Sequence, residues 1–509
     1  MPYHQRASTM PLAATACHGR RPLFINTSSV MPKKIFIIYK YNRFRLEPTR
    51  CSQSQVPDHK TENHEEPETV RPLANFLSCL WGDRFSSFTL DPQLHEKYSK
   101  EVEVLKEEVK DMLIAAGKPA KKMVLIDTLE RLGVSYLFAK EIEELLERMF
   151  PNFEEYSHVF EDDLFMVSLH FRVFRQHGYD LSSCVFKKFK ETTGNFKETI
   201  SNDVKGLLSL YEATYLKTQG EDILDDAFCF TKARLESLKP HLSPDLAEQV
   251  THALYQSLQR GIPRVEARSY ISFYEEDPSR NEKLLRLAKI DFNMLQMLHK
   301  KELCHLTRWW KDLDLLSDAP YVRNRAVECY FVAYASYFEP RYSLARLILS
   351  KLTLMISVLD DTYDAYGTYE ELKLFTDAMQ RWDINAIDQL PKYMKSVYKA
   401  LLNLCEEIER EMVKQERTFV LPYLKESLPV SVFKMYFSSR IPVSQFCSYR
   451  YLSFFDLLFQ GYRNNHNRRA FLFALPSSSN SPTLKLFWRD DVITWAWKWY
   501  YGGLVKTNQ

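Results

Sequence analysis

From residue 92 onward the apolar positions recur at helical spacing. Val102, Leu105, Val109 and Leu113 form one stripe, and LIDTLERLGVSYLFAKEIEELLERMF adds two amphipathic segments broken at Gly133. NDVKGLLSLYEATYL, SPDLAEQVTHALYQSL and NEKLLRLAKIDFNMLQMLHKKEL repeat the 3.6-residue period, while PHLSP and EEDPSR interrupt it with proline and helix-capping residues. No run alternates convincingly at the two-residue period of a strand. The pattern predicts an all-α protein with a domain junction at EEDPSR, residues 275–280. Residues 52–70 are polar, contain proline and lack periodicity, as a linker does.

Composition agrees with long helices around aromatic interiors: the 509 residues include 33 Phe and 29 Tyr but only 13 Gly, too few for a fold of many tight βα turns. A net charge of +2 gives no reason to expect nucleic acid as a partner. Nine cysteines without CxxC spacing argue against zinc sites and disulfide frameworks. No eighteen-residue apolar run is free of charge, so no membrane span is expected. Residues 1–50 carry nine Lys or Arg against the single acid Glu47. That composition fits a plastid or mitochondrial transit peptide, or upstream sequence carried into the reading frame.

The chemistry concentrates in YSLARLILSKLTLMISVLDDTYDAYGTYEEL, where Asp360, Asp361 and Asp364 interrupt an apolar helix. Carboxylates four apart lie about 6 Å along one helix face. Such a face suits Mg²⁺, a hard cation that takes oxygen ligands and is completed by water and substrate phosphates. Upstream, Arg323-Asn324-Arg325 follows the loop SDAPY, and guanidinium forks bind phosphate bidentately. Asp225-Asp226 in ILDDAFCF lacks a third acid and carries no such signal.

Taken together, these motifs resemble those of the plant terpene synthases, class I, and most closely the sesquiterpene branch of germacrene and cadinene synthases. The likeness runs from about Val70 to about Lys425. RPLANFLSCLWGDRF is similar to the family's N-terminal R(R/P)x8W signature, here Arg71, Pro72 and Trp81; RVEARSYISFYEED resembles its interdomain segment; RNRAVECY and DDTYDAYGTYEEL match its arginine and aspartate motifs. The resemblance implies two helical domains: a relict N-terminal α-barrel domain over 67–275 and a C-terminal class I helical bundle over 276–509, preceded by a disordered basic extension over 1–66. It implies three Mg²⁺ (Mn²⁺ as a substitute), with Asp360, Asp361 and Asp364 placing the first metals. Arg323 and Arg325 hold the departing diphosphate, and Arg71 and Trp81 belong to an N-terminal cap. The implied reaction is ionisation of farnesyl diphosphate and cyclisation of the carbocation, by a cytoplasmic monomer. The alternatives are a plastid monoterpene synthase using geranyl diphosphate, and a catalytically dead relic.

The resemblance breaks in the C-terminal region, after about residue 425. The family's second metal motif, (N/D)DxxTxxxE, aligns with DDVITWAWK: Asp490 and Thr494 fit, but Lys498 stands where a glutamate ligand belongs. An ammonium group repels Mg²⁺ rather than coordinating it. The C-terminus reads as aberrant and shortened. Val332 stands where many relatives have Trp, which removes one cation-stabilising ring.

Overall fold

The computed structural model describes residues 81–418 together with Arg71, Cys79 and Pro422. The basic extension, Pro72, and the region holding Asp490, Thr494 and Lys498 lie outside the described residues. Among those described there are fifteen α-helices, and the only β feature is an isolated bridge between Lys190 and Phe196.

The first block contains α1 (Pro92–Ala115), α2 (Pro119–Arg131), α3 (Ala139–Met149), α4 (Phe153–Ser157), α5 (Leu164–Gln176), α6 (Val204–Thr214), α7 (Asp222–Leu238), α8 (Pro244–Tyr255) and α9 (Pro263–Glu276). The second contains α10 (Glu282–Asp312), α11 (Leu315–Asp318), α12 (Ala326–Ser336), α13 (Ser343–Ala365), α14 (Tyr369–Arg381) and α15 (Lys392–Lys414). Local chemistry sets the helix starts. Asp91 accepts hydrogen bonds from the amides of Gln93 and Leu94 ahead of Pro92, and Asn281 does the same for Lys283 and Leu284 at the head of α10. The stripe predicted for α1 is the buried face of that helix, which packs along α10.

One continuous apolar core runs through both blocks, from Trp81 to Met412. Polar contacts cross between the blocks as well. Arg264 of α9, fully buried, reaches the Gly133 carbonyl at 2.9 Å and the carboxylate of Asp291 in α10 at 3.3 Å; Tyr136 donates to that same carboxylate. Arg286 of α10 forks onto Glu101 of α1 at 2.6 and 2.9 Å. Buried ions such as Arg264 and Asp291 tolerate few alternative arrangements, because an unpaired charge in the interior is costly.

One helix bears on the expectation about membranes. The stretch Pro340–Ala365 is long and apolar enough to cross a bilayer, but it is a core helix here. Arg346 within it is fully buried and forks onto Glu302 of α10 at 2.7 and 2.9 Å, and its Nη1 also donates to the carbonyls of Tyr337 and Glu339. Its apolar surface is spent on protein neighbours.

Gly133 ends the α2 segment with φ +75°, and a Cβ there would lie 2.8 Å from both Ala267 Cβ and Arg264 Nη1. Gly133→Ala is therefore expected to lower stability by about 2 kcal/mol or more, read as a reduced denaturant midpoint.

Candidate active site

The three acids of DDTYD do not share one environment. They lie in the last turns of α13, and α12 packs against that helix with Arg323 in the loop just ahead of it. Asp361 is fully buried. Its Oδ2 accepts the Arg323 backbone amide at 2.8 Å, its Oδ1 accepts Nε at 2.7 Å, and Nη2 of the same guanidinium also reaches it. The resemblance implies that all three carboxylates place metals; in this structure Asp361 is the one of the three that Arg323 engages with backbone and side chain. The cause is geometric. Successive helical residues point about 100° apart, so Asp360 and Asp361 leave the helix in different directions.

Asp360 and Asp364 do share a face. Asp364 is exposed and the Asp360 side chain is 45% exposed. Burial, then the neighbouring carboxylates Asp364 and Asp361, push Asp360 up to about 6, opposed by Arg323 and Arg325. Burial and Asp361 raise Asp364 as well. A pair of carboxylates that repel each other at an accessible helix end fits a hard divalent cation. Among the described residues no group of three or more His, Cys, Asp or Glu is arranged to hold a metal, so this pair needs further oxygen ligands from elsewhere. Substrate phosphates and water supply such ligands for Mg²⁺.

Arg323, expected to face a diphosphate, spends Nε and Nη2 on Asp361 and places Nη2 3.8 Å from Asp360. Arg325 sits at the head of α12 and adds positive potential at Asp360. Val332 is half-buried on that helix.

The N-terminal residues separate in role. Trp81 is buried beside Phe85, 6.1 Å between ring centroids, which is an anchoring position. Arg71 lies against the second block. Its fork meets Glu371 at 2.9 and 3.0 Å, and its guanidinium carbon is 4.5 and 5.1 Å from the ring centroids of Tyr366 and Tyr393. Burial alone would raise Glu371, but Arg71, the Thr368 amide and Tyr393 pull it down to about 2. Sequence reasoning did not single out Tyr321, Glu371 or Tyr393. Glu371 and Tyr366 lie inside the quoted DDTYDAYGTYEEL, whereas Tyr393 belongs to no motif.

Among the described residues, a helical framework with paired carboxylates one turn apart beside two arginines fits a metal-dependent enzyme for diphosphate esters. Comparison with known proteins places it further. The family description "Terpene synthase, N-terminal domain" matches residues 80–254, and "Terpene synthase family, metal binding domain" matches 311–439. A valerianol synthase of Camellia sinensis and a hedycaryol synthase of Camellia brevistyla are each 58% identical over 379 residues, covering 74% of this chain and 67% of theirs. Among solved structures, a limonene synthase with 2-fluorolinalyl diphosphate aligns with TM-score 0.70 and 32% identity, over 84% of this chain and 79% of that one. Isoprene synthase from grey poplar leaves, in complex with three Mg²⁺ ions and dimethylallyl-S-thiolodiphosphate, aligns with TM-score 0.65 and 32% identity, over 80% and 78%. The chain belongs to the terpene synthase family.

Two outcomes follow for the acids. Because Asp360 titrates higher folded than unfolded, its contribution favours folding below its ordinary value of 3.8 and is lost as pH rises through about 6. Asp360→Asn should therefore stabilise the metal-free protein at pH 7.5 by about 1 kcal/mol, discounted for its half-exposed position, with no gain near pH 4, in paired denaturant titrations. Arg323→Ala strands the buried Asp361 carboxylate and should cost about 3–5 kcal/mol in the same assay.

Proposed function

We propose that this chain ionises farnesyl diphosphate and cyclises the resulting carbocation to a sesquiterpene, releasing diphosphate. The observation that carries the reading is the division of labour in DDTYD: Asp360 and Asp364 face outward together while Asp361 fixes Arg323 beside them. Asp360 and Asp364 would hold divalent metal, three Mg²⁺ in all as in the poplar isoprene synthase complex, with Asp490 and Thr494 as the sequence's candidates for the opposite wall. Bound there, the metal supplies Lewis-acid neutralisation of the leaving diphosphate. Arg323, tethered by Asp361, and Arg325 at the head of α12 present fixed positive charge where negative charge develops, with no reorganisation at the moment of bond breaking. Aromatic rings stabilise the carbocation by about 0.5–2 kcal/mol per contact, and exclusion of water prevents its premature capture. The names of the Camellia relatives, a valerianol and a hedycaryol synthase, support the fifteen-carbon substrate over geranyl diphosphate.

Lys498 favours a second reading, a fold retained without turnover, because a cation stands where a metal ligand is expected. Incubating the purified chain with farnesyl and geranyl diphosphates plus Mg²⁺, with volatiles analysed by mass spectrometry, separates the readings. Sesquiterpenes from farnesyl diphosphate are expected, reduced by about a thousandfold or more in Asp360→Ala. Product no higher than in that variant would establish the relic instead.

A further inference from the structure

Helix α13 stops at Ala365, one residue past Asp364, so the two outward carboxylates sit on a terminal turn. Terminal turns fray unless their backbone groups are held. Here the end is held by a chain of contacts. The Gly367 amide donates to the Thr362 carbonyl at 2.8 Å. The Thr362 hydroxyl donates to the Val358 carbonyl at 2.7 Å, and having one proton it then accepts from the Tyr321 hydroxyl at 2.9 Å. Thr362 lies between Asp361 and Asp364, while Tyr321 is two residues ahead of Arg323, the partner of Asp361.

The same tyrosine links outward. Its ring stacks on Tyr366, the residue following the helix, with centroids 4.0 Å apart and planes 11° from parallel, and Tyr393 meets Tyr366 edge-on at 5.0 Å. Arg71 completes the assembly. Its guanidinium lies against Tyr366 and Tyr393, its Nη1 is 3.4 Å from the Tyr366 carbonyl and from the Tyr393 hydroxyl, and its fork engages Glu371. Glu371 is also the carboxylate of the capping box that starts α14. Arg71 therefore touches both the exit of the carboxylate-bearing helix and the entrance of the next.

We infer that Arg71 and Tyr321 are positioning residues for the Asp360–Asp364 pair, acting through Tyr366 and Thr362 to order the last turn of α13 and so set its affinity for a divalent cation. This rests on the reading of Asp360 and Asp364 as metal ligands. It differs from a covering role. A cover acts on bound substrate and excludes water, whereas positioning alters the metal-free backbone and cation binding with no substrate present.

Hydrogen exchange of the full-length, metal-free chain tests it without turnover. Arg71→Ala and Tyr321→Ala should each accelerate exchange of the amides of residues 362–367 about tenfold, with α5 unchanged, and each should weaken Mn²⁺ binding, titrated with inorganic pyrophosphate present, by a similar factor. Tyr321→Phe keeps the stacked ring, loses the hydroxyl and should fall between. It decides the matter if an alanine variant loosens the whole chain. Unchanged exchange at 362–367, or unchanged Mn²⁺ affinity alongside faster exchange, overturns the inference. A chain that shows these shifts but makes no terpene would retain the positioning device and refute the proposed reaction.

Discussion

The contact between Asp361 and Arg323 is the constraint on which the site is built. A fully buried carboxylate has to be compensated, and here one residue compensates it with both its backbone amide and its side chain. The bond ties the loop before α12 to the last turns of α13 across 38 residues of sequence. It consumes one acid of the motif, and in return the other two face outward at a defined rotation. Two residues that look interchangeable in DDTYD therefore sit differently, one internal and hydrogen-bonded to Arg323, the other half-exposed and only at the edge of that guanidinium's reach.

Buried charge recurs where helices meet, both between the two blocks and within the second. Arg264 with Asp291 and Tyr136 joins α9, α10 and the turn after α2, and Arg346 with Glu302 and Tyr330 joins α13, α10 and α12. His299 adds a 2.9 Å contact to the Phe338 carbonyl in the loop ahead of α13. Apolar packing alone would leave long helices free to slide by a turn at modest cost. A fork that must find its carboxylate fixes the register, at the expense of some stability relative to a wholly apolar core. The carboxylate pair of α13 inherits that fixed register.

Much of the fold was legible in the sequence because helix periodicity and capping are local. The stripe Val102, Leu105, Val109, Leu113 is the buried face of α1, the break at Gly133 is a residue with positive φ, and the helix break read at EEDPSR is the turn between α9 and α10. The site was legible only in part. Spacing puts Asp360 and Asp364 on one helix face, whereas the metal role of Asp361 came from the resemblance alone, and the text gave no sign that it is buried against Arg323. The Arg323 partnership and the Tyr321, Tyr366, Tyr393 cluster are products of tertiary packing, and no local pattern announces a contact between residues many turns apart. Charge counting likewise could not tell that Arg346 serves the core while the carboxylates fourteen and eighteen residues later serve the surface.

Glu371 has a consequence for how the chain comes into being. Two of its partners lie at very different distances along the sequence: the Thr368 amide three residues away and Arg71 three hundred. At about 5–20 residues per second of synthesis, Arg71 leaves the ribosome some 15–60 seconds before its acceptor exists. The helices of the first block can dock during that interval, while the guanidinium has only solvent and transient acceptors to meet. The contact that finishes the end of α13 therefore cannot form before Glu371 has been made, and an early-made residue waits on a later-made one.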